Sequence, residues 1–318
     1  ERGGRTRIVL LETIREFAGE RLAERGESGI LRRRHAAYYL AFALDQARPM
    51  RQDEPRTWLD GLEREHGNLL AALLWMKHTG AAGDGLRLAA SLWPFWNVRG
   101  HVQQGLAWLD WALAADTETL SEARAQALNG AAALATASAD YHRAAALYEQ
   151  ALPVWEALGN PGSVANTLDS LGNVVHLLGD YERAERLCRE ALGRQRAMGN
   201  ELAASTALHH LGNVAYGQGR YNRAAYYYEE ALRISRSRGS AMHLSLSLNW
   251  LGRVRTAQGD HAAAVRLHQE ALDHTRAVSD KRGTASALSG LGRATHRLGD
   301  PDQAVRYLRE ALPLLWEV

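Results

Sequence analysis

The sequence predicts an all-α fold, an α-solenoid built from stacked helix-turn-helix units. Three observations carry the prediction. The chain aligns with itself at a shift of 40 residues, as LGNVVHLLGDYERAERLCREAL (171–192) and LGNVAYGQGRYNRAAYYYEEAL (211–232) show directly. The aligned columns contain helix stops, caps and apolar stripes at fixed offsets. The composition is rich in Ala, with only three Phe and seven Pro in 318 residues, which suits closely packed helices better than a sheet.

From the N-terminus, RTRIVLL (5–11) reads as a short β-like run and Glu12 to Glu27 as an amphipathic helix. A second helix runs from Leu31 through HAAYYLAFAL, and a third, WLDGLEREHGNLLAALLWMKHTG, closes on a glycine stop at Gly80. Six of the nine Trp lie between Trp58 and Trp111, so this third of the chain is expected to have a bulkier core than the Ala-rich remainder. GHVQQGLAWLDWAL (100–113) fits the repeat frame after a one-residue slip. The copy from Asp140-Tyr141 through Ala151-Leu152 fits without one, with Ala in its first Gly columns. The regular units then place Leu171, Leu211, Leu251 and Leu291 in one column and Gly172, Gly212, Gly252 and Gly292 in the next.

Each column has a mechanical reason. Small residues at 172 and 184 let two helix backbones approach, and Leu171 with the Ala191-Leu192 pair supplies the stripe that must be buried. Gly179 stands where a helix ends at positive φ, and Asp180, Asp260 and Asp300 are N-caps for the next helix. Gly159-Asn160-Pro161 and Gly299-Asp300-Pro301 read as stop, cap and first-turn proline. A unit is therefore two helices of about 16 to 18 residues, neither of which buries its stripe alone; stacking buries both.

The spacing Leu171-Gly172, Gly179, Tyr181, Ala184, Ala191 resembles the tetratricopeptide repeat in a forty-residue variety with a recurring Leu-Gly-Asn. The resemblance covers about five repeats, 120–318, and implies a right-handed superhelix. Cys188 and His268 replace the aromatic of Tyr148 and Tyr228, and His261 and Pro301 replace the Tyr of 141, 181 and 221, changes expected to loosen packing locally. Upstream, LLETIREFAGERLAERGE, RRRHAAYYLA and WLDGLEREHGNLLAAL occur in the order found at the junction of bacterial STAND-type signal-transduction ATPases and resemble it. That likeness implies that 1–30 is the end of a winged-helix and linker segment, that 31–119 is an atypical helical region, and that an ATPase module precedes Glu1. The chain itself has no P-loop, since neither Lys77 nor Lys281 follows a Gly.

Charge and chemistry narrow the function classes. A formal net charge of +2 argues against a whole-molecule nucleic-acid binder. The basic Arg2, Arg5, Arg7 and Arg32-Arg33-Arg34 are interleaved with six acidic residues in the first 40, which reads as a solvated or interdomain face. The single Cys188 excludes an internal disulfide and fits a cytoplasmic setting, and the absence of a secretory signal or an apolar run of about 18 residues predicts no membrane partner. HExxH, GxSxG and phosphate-cradling glycine signatures are missing, so no catalytic residue, cofactor or metal is predicted. His209 and His210 point about 100° apart on a helix and share no metal, and Cys188 is read as a core filler. Arg186-Glu190, Arg266-Glu270 and Arg306-Glu310 are read as i,i+4 surface pairs.

In tetratricopeptide arrays the first helix of each unit lines the concave face. By that resemblance and helical geometry, the position after the small residue supplies Asn173, Asn213, Arg253 and Arg293. Three before it stand Asn129, Asp169, His209, Asn249 and Ser289, and four or five after it His176, Tyr216, Thr256, His296 and Arg297. Asn173 and Asn213 match the Asn that grips a peptide backbone in similar arrays. The change to Arg in later copies predicts a groove suited to an acidic segment or a free carboxylate. A plain solvated helix face is the alternative. The resulting expectation is a non-enzymatic protein- or peptide-binding sensor domain of a STAND-type regulator, with a free-standing peptide-binding adaptor or quorum-type receptor as the other reading. The apolar Leu314, Leu315 and Trp316 near the end predict either a continuing chain or self-association through the last helix.

Overall fold

A computed structural model describes residues 12–47, 56–116 and 120–316. Every described element is a helix, fifteen in all. The β-like run at 5–11 lies outside the described residues. The chain divides into two compact units, one ending at Ser138 and one running from Ala139.

In the first unit α1 (Glu12–Glu24) and α2 (Ser28–Gln46) are separated by Gly26 at φ +69°, so the helix expected over 12–27 stops early. Then come α3 (Arg56–Thr79), α4 (Ala82–Arg99), α5 (Val102–Ala115) and α6 (Glu122–Ala137). Gly80 closes α3 at φ +72°, as its position predicts. The tryptophans do the packing here. Trp96 and Phe95 are buried, and a Cβ at Gly130 would sit 2.5 Å from the Trp93 ring, so α6 is seated on α4. Thus α6, the first helix of the expected 120–318 array, packs with the N-terminal helices.

The second unit holds α7 (Tyr141–Ala157), α8 (Pro161–Leu177), α9 (Tyr181–Ala197), α10 (Glu201–Gly217) and α11 (Tyr221–Arg238), followed by α12 (Ala241–Ala257), α13 (His261–Ala277), α14 (Lys281–Arg297) and α15 (Pro301–Trp316). Each helix packs on the next, and α8, α10, α12 and α14 also touch one another in sequence. This is an all-α repeat solenoid. The punctuation works as its chemistry requires. Asp180, Asp260 and Asp300 each accept a hydrogen bond from the backbone N–H three residues on, at 3.1, 3.0 and 2.9 Å. At two stops the left-handed residue is Ala139 (φ 60°) or Ser279 (φ 55°), which costs roughly 1–2 kcal/mol each relative to glycine.

The glycine after each repeat's Leu is explained by one contact. A Cβ there would fall 2.4 Å from Cys188 Sγ at Gly172, 2.5 Å from the Tyr228 ring at Gly212 and 2.7 Å from the His268 ring at Gly252. The second helix of each repeat thus drops one side chain into the groove of the first. Cys188 and His268 are both buried in that role.

The glutamate column behaves differently from the i,i+4 expectation. Glu270 pairs with Arg236 of the preceding repeat at 2.6 Å, and Glu230 and Glu310 pair likewise with Arg196 and Arg276. Glu190, whose counterpart position is Glu156, bonds Arg194 in its own helix at 2.8 Å. Arg preceding Glu by four is the weaker order within a helix, and the reach across to the neighbouring second helix prevails. At α15, Leu308, Leu312, Leu315 and Trp316 are exposed, Trp316 by 87%. None of the described helices is long and apolar enough to cross a membrane.

A candidate arginine cleft on the first helices

Three first helices supply one cleft. Tyr216 of α10, Arg253 and Thr256 of α12, and Arg293 and Arg297 of α14, together with His261, line a cavity of about 410 Å³. The repeat explains why they meet. Arg253 and Arg293 hold the same position one period apart, so stacking brings them to adjacent helices.

Arg253 is held in an aromatic frame. Its guanidinium carbon lies 4.0 Å from the Trp250 ring centroid and 5.7 Å from that of Tyr216. Trp250 in turn stacks on Tyr228 at 5.8 Å and 12°. The Arg253 Nε is buried with no hydrogen-bond partner, and among the described residues no carboxylate pairs with Arg253, Arg293 or Arg297. The field they set up reaches the core. Burial first, then the charges of Arg293 and Arg253, push His268 down to about 4. Two donors on planar forks, one already desolvated, can receive a carboxylate or another oxyanion.

The remaining expected groove residues divide by column. Asn129, Asn173 and His176 are half-buried and Arg293, His296 and Arg297 exposed. Asn213 is half-buried, and its Oδ1 accepts from Tyr228 Oη at 2.7 Å. In the column three before the small residue, Asp169, His209 and Asn249 are buried, whereas Asn129 and Ser289 are half-buried. His209 is 2% exposed with its Nε2 2.9 Å from Ser247 Oγ, and the buried Asn249 Oδ1 is 3.0 Å from His268 Nδ1. Asp169, His209 and Asn249 are therefore corrected from groove to core. At about 100° per residue the positions two and three before the glycine straddle the boundary of the face, and the side chains on the open side are His210 and Trp250. Trp250 was missed for that reason, although an aromatic three residues before Arg253 on one helix face is a readable signal.

A second cluster lies between α8, α9 and α10. Asp169 is 7% exposed and Cys188 fully buried. Asp169 Oδ1 and His210 Nδ1 are buried and stand at ion-pair distance, 2.9 Å, without good hydrogen-bond alignment. Burial, followed by the Asp169 charge, pushes the Cys188 thiol up. Burial opposes the charge on His210, but the Asp169 carboxylate outweighs it and raises the pKa; burial and then His210 lower that of His176.

With this geometry in place, comparison with known proteins defines the class. The tetratricopeptide-repeat family profile matches residues 123–197, 163–237 and 243–315. The chain belongs to the tetratricopeptide-repeat family. Proteins of Mycobacterium bovis and Mycobacterium tuberculosis that carry the provisional name HTH-type transcriptional regulator are 33% identical to it over 177 residues, covering 53% of this chain and 20% of each relative. The chain thus spans about a fifth of the length of these relatives. Among solved structures, the apo form of RapI is similar with a TM-score of 0.63 at 13% identity, over 88% of this chain and 100% of that one. A Rap protein complexed with competence and sporulation factor is similar at 0.60 and 16%, over 82% and 73%. BtubC from P. vanneervenii is similar at 0.55 and 19%, over 69% and 89%. At these identities the structural likenesses speak to the fold.

Proposed function

We propose that the chain is a protein- or peptide-binding sensor domain of a bacterial transcriptional regulator, and that it takes an acidic segment or a free carboxylate in the Arg253–Arg293–Arg297 cleft. The observation that carries the reading is the convergence on one cavity of three arginines without carboxylate partners among the described residues, beside an aromatic frame that holds one of them in place. The mycobacterial relatives support a regulatory parent, and the upstream segments 10–27, 32–41 and 58–73 support one of the STAND type, in which occupancy of the cleft controls an ATPase module. A free-standing receptor is the second reading, favoured by the likeness to a Rap protein whose structure was determined with a bound factor.

The test is fluorescence anisotropy with labelled peptides of Asp/Glu-rich sequence, each with a free or an amidated C-terminus, against matched neutral and basic peptides. The reading expects the acidic peptides to bind, more weakly as salt rises, and R253E/R293E to lose at least about 100-fold in affinity, on the order of 3 kcal/mol. Equal binding of the neutral peptides, or no loss in the double variant, contradicts it. The sensor role is checked in the parent: deletion of 120–318 is expected to change its ligand-dependent output.

A further inference from the structure

The repeat that carries Cys188 treats its buried polar layer differently from its neighbours. In the next two copies the residue in the Cys188 position meets a polar partner: Tyr228 Oη donates to Asn213, and His268 Nδ1 faces Asn249 Oδ1. Cys188 has no such partner among the described residues. Instead its Sγ, Asp169 Oδ1 and His210 Nδ1 all lie within 4.8 Å of one another. The oxygen and nitrogen are buried and close, without good hydrogen-bond alignment. A buried charge pair without hydrogen-bond alignment leaves part of its desolvation cost uncompensated, a cost that a shared third partner between the two atoms removes.

The three atoms come from three helices, α8, α9 and α10, and are a carboxylate oxygen, a sulfur and an imidazole nitrogen, the donor types that zinc accepts. Two donors each about 2.1 Å from a tetrahedral ion stand about 3.4 Å apart; Asp169 Oδ1 and His210 Nδ1 are separated by 2.9 Å, so a small parting of the two side chains admits the ion. We propose that Asp169, Cys188 and His210 form a binding site for a divalent transition-metal ion of the zinc class, which clips α8, α9 and α10 together.

On binding, the Cys188 S–H proton leaves to solvent, and His210 ligates as the neutral imidazole through Nδ1. Two negative ligands then balance the ion's two positive charges, so the buried site ends neutral. His210 retains 20% of its side-chain exposure and marks the entry side, whereas Cys188 is sealed. The adjacent pair His209-His210 does not act as a unit: His209 turns to Ser247, and the ligand set is completed from other helices. A comparable grouping in the first unit, Glu63, His66 and His101, is less suited, because the Arg99 guanidinium already stands 3.7 Å from Glu63 and also pairs with Asp60.

The experiment is a Co²⁺ titration of the reduced 318-residue chain, followed by Zn²⁺ competition. Because Cys188 is the only cysteine, any thiolate-to-cobalt charge-transfer band reports this site without mutagenesis. A band that saturates at one equivalent, is displaced by Zn²⁺, and weakens at least about tenfold in apparent affinity in D169N and H210Q, with helical circular dichroism retained, is the expected result. H101A is expected to leave it unchanged. Absence of a saturable thiolate band in the wild-type chain, or a band indifferent to both D169N and H210Q, overturns the proposal.

Discussion

Arg236 and Arg276 on the second helices recur one repeat apart, and so do Arg253 and Arg293 on the first helices, yet the two series meet opposite fates. The second-helix arginines each reach a glutamate of the following repeat and form a ladder. The first-helix arginines converge on a cavity with no carboxylate among the described residues. The same residue type, repeated with the same period, is therefore structural mortar on one set of helices and uncompensated charge on the other. The second condition is the one on which the proposed binding site rests.

The largest expected effect that sharpens this contrast is a pH dependence. His268 lies beneath the cleft, with its pKa lowered from 6.5 to about 4. The unfolded chain takes up its proton near 6.5 and the folded chain only near 4. Stability present above pH 6.5 is therefore lost as pH falls through that window, by about 3 kcal/mol from this residue. Urea denaturation between pH 7 and 4 checks it, and H268Y, the residue type of the sister repeat, is expected to flatten the slope. In NMR titrations R293A is expected to raise the His268 pKa, while R236A leaves it in place.

Next in size is the seam that separates the two sets of helices. Gly212→Ala places a methyl 2.5 Å from the Tyr228 ring, which forces a shift costing about 1–3 kcal/mol in denaturant unfolding. Gly193, with open space around its Cβ position in α9, is expected to gain slightly on the same change. The smallest effect belongs to the ladder. Arg236→Ala removes an ion pair whose partners are both well exposed, so a loss of about 0.5 kcal/mol or less, shrinking further in salt, is expected from thermal unfolding.

Much of this organisation is legible in the residues themselves. The glycine and Asp columns at 179–180, 259–260 and 299–300 set the helix ends because only a few residue types stop and cap a helix, so the period and the turns can be read together. The Leu-Gly column is readable as close contact, although what it contacts is not: Cys188, Tyr228 and His268 fill the same place with unrelated chemistry. Side chains near the edge of a face are harder. One position decides whether His209 or His210, Asn249 or Trp250, looks into the core, and a helix turns about 100° in that step. The ladder was misread for a related reason: i,i+4 neighbours are visible in a linear sequence, whereas Arg236 and Glu270 become neighbours only after the repeats stack.

Whether the two arginine series differ in function is addressed directly by one measurement. Binding of a single acidic peptide is compared in R253A/R293A and in R236A/R276A, two double variants of equal charge change. The cleft variant is expected to lose at least about 100-fold in affinity and most of the salt dependence while the ladder variant stays within about twofold of wild type. Equal losses in both variants would show that the peptide senses only net charge, and would contradict the cleft as the binding site.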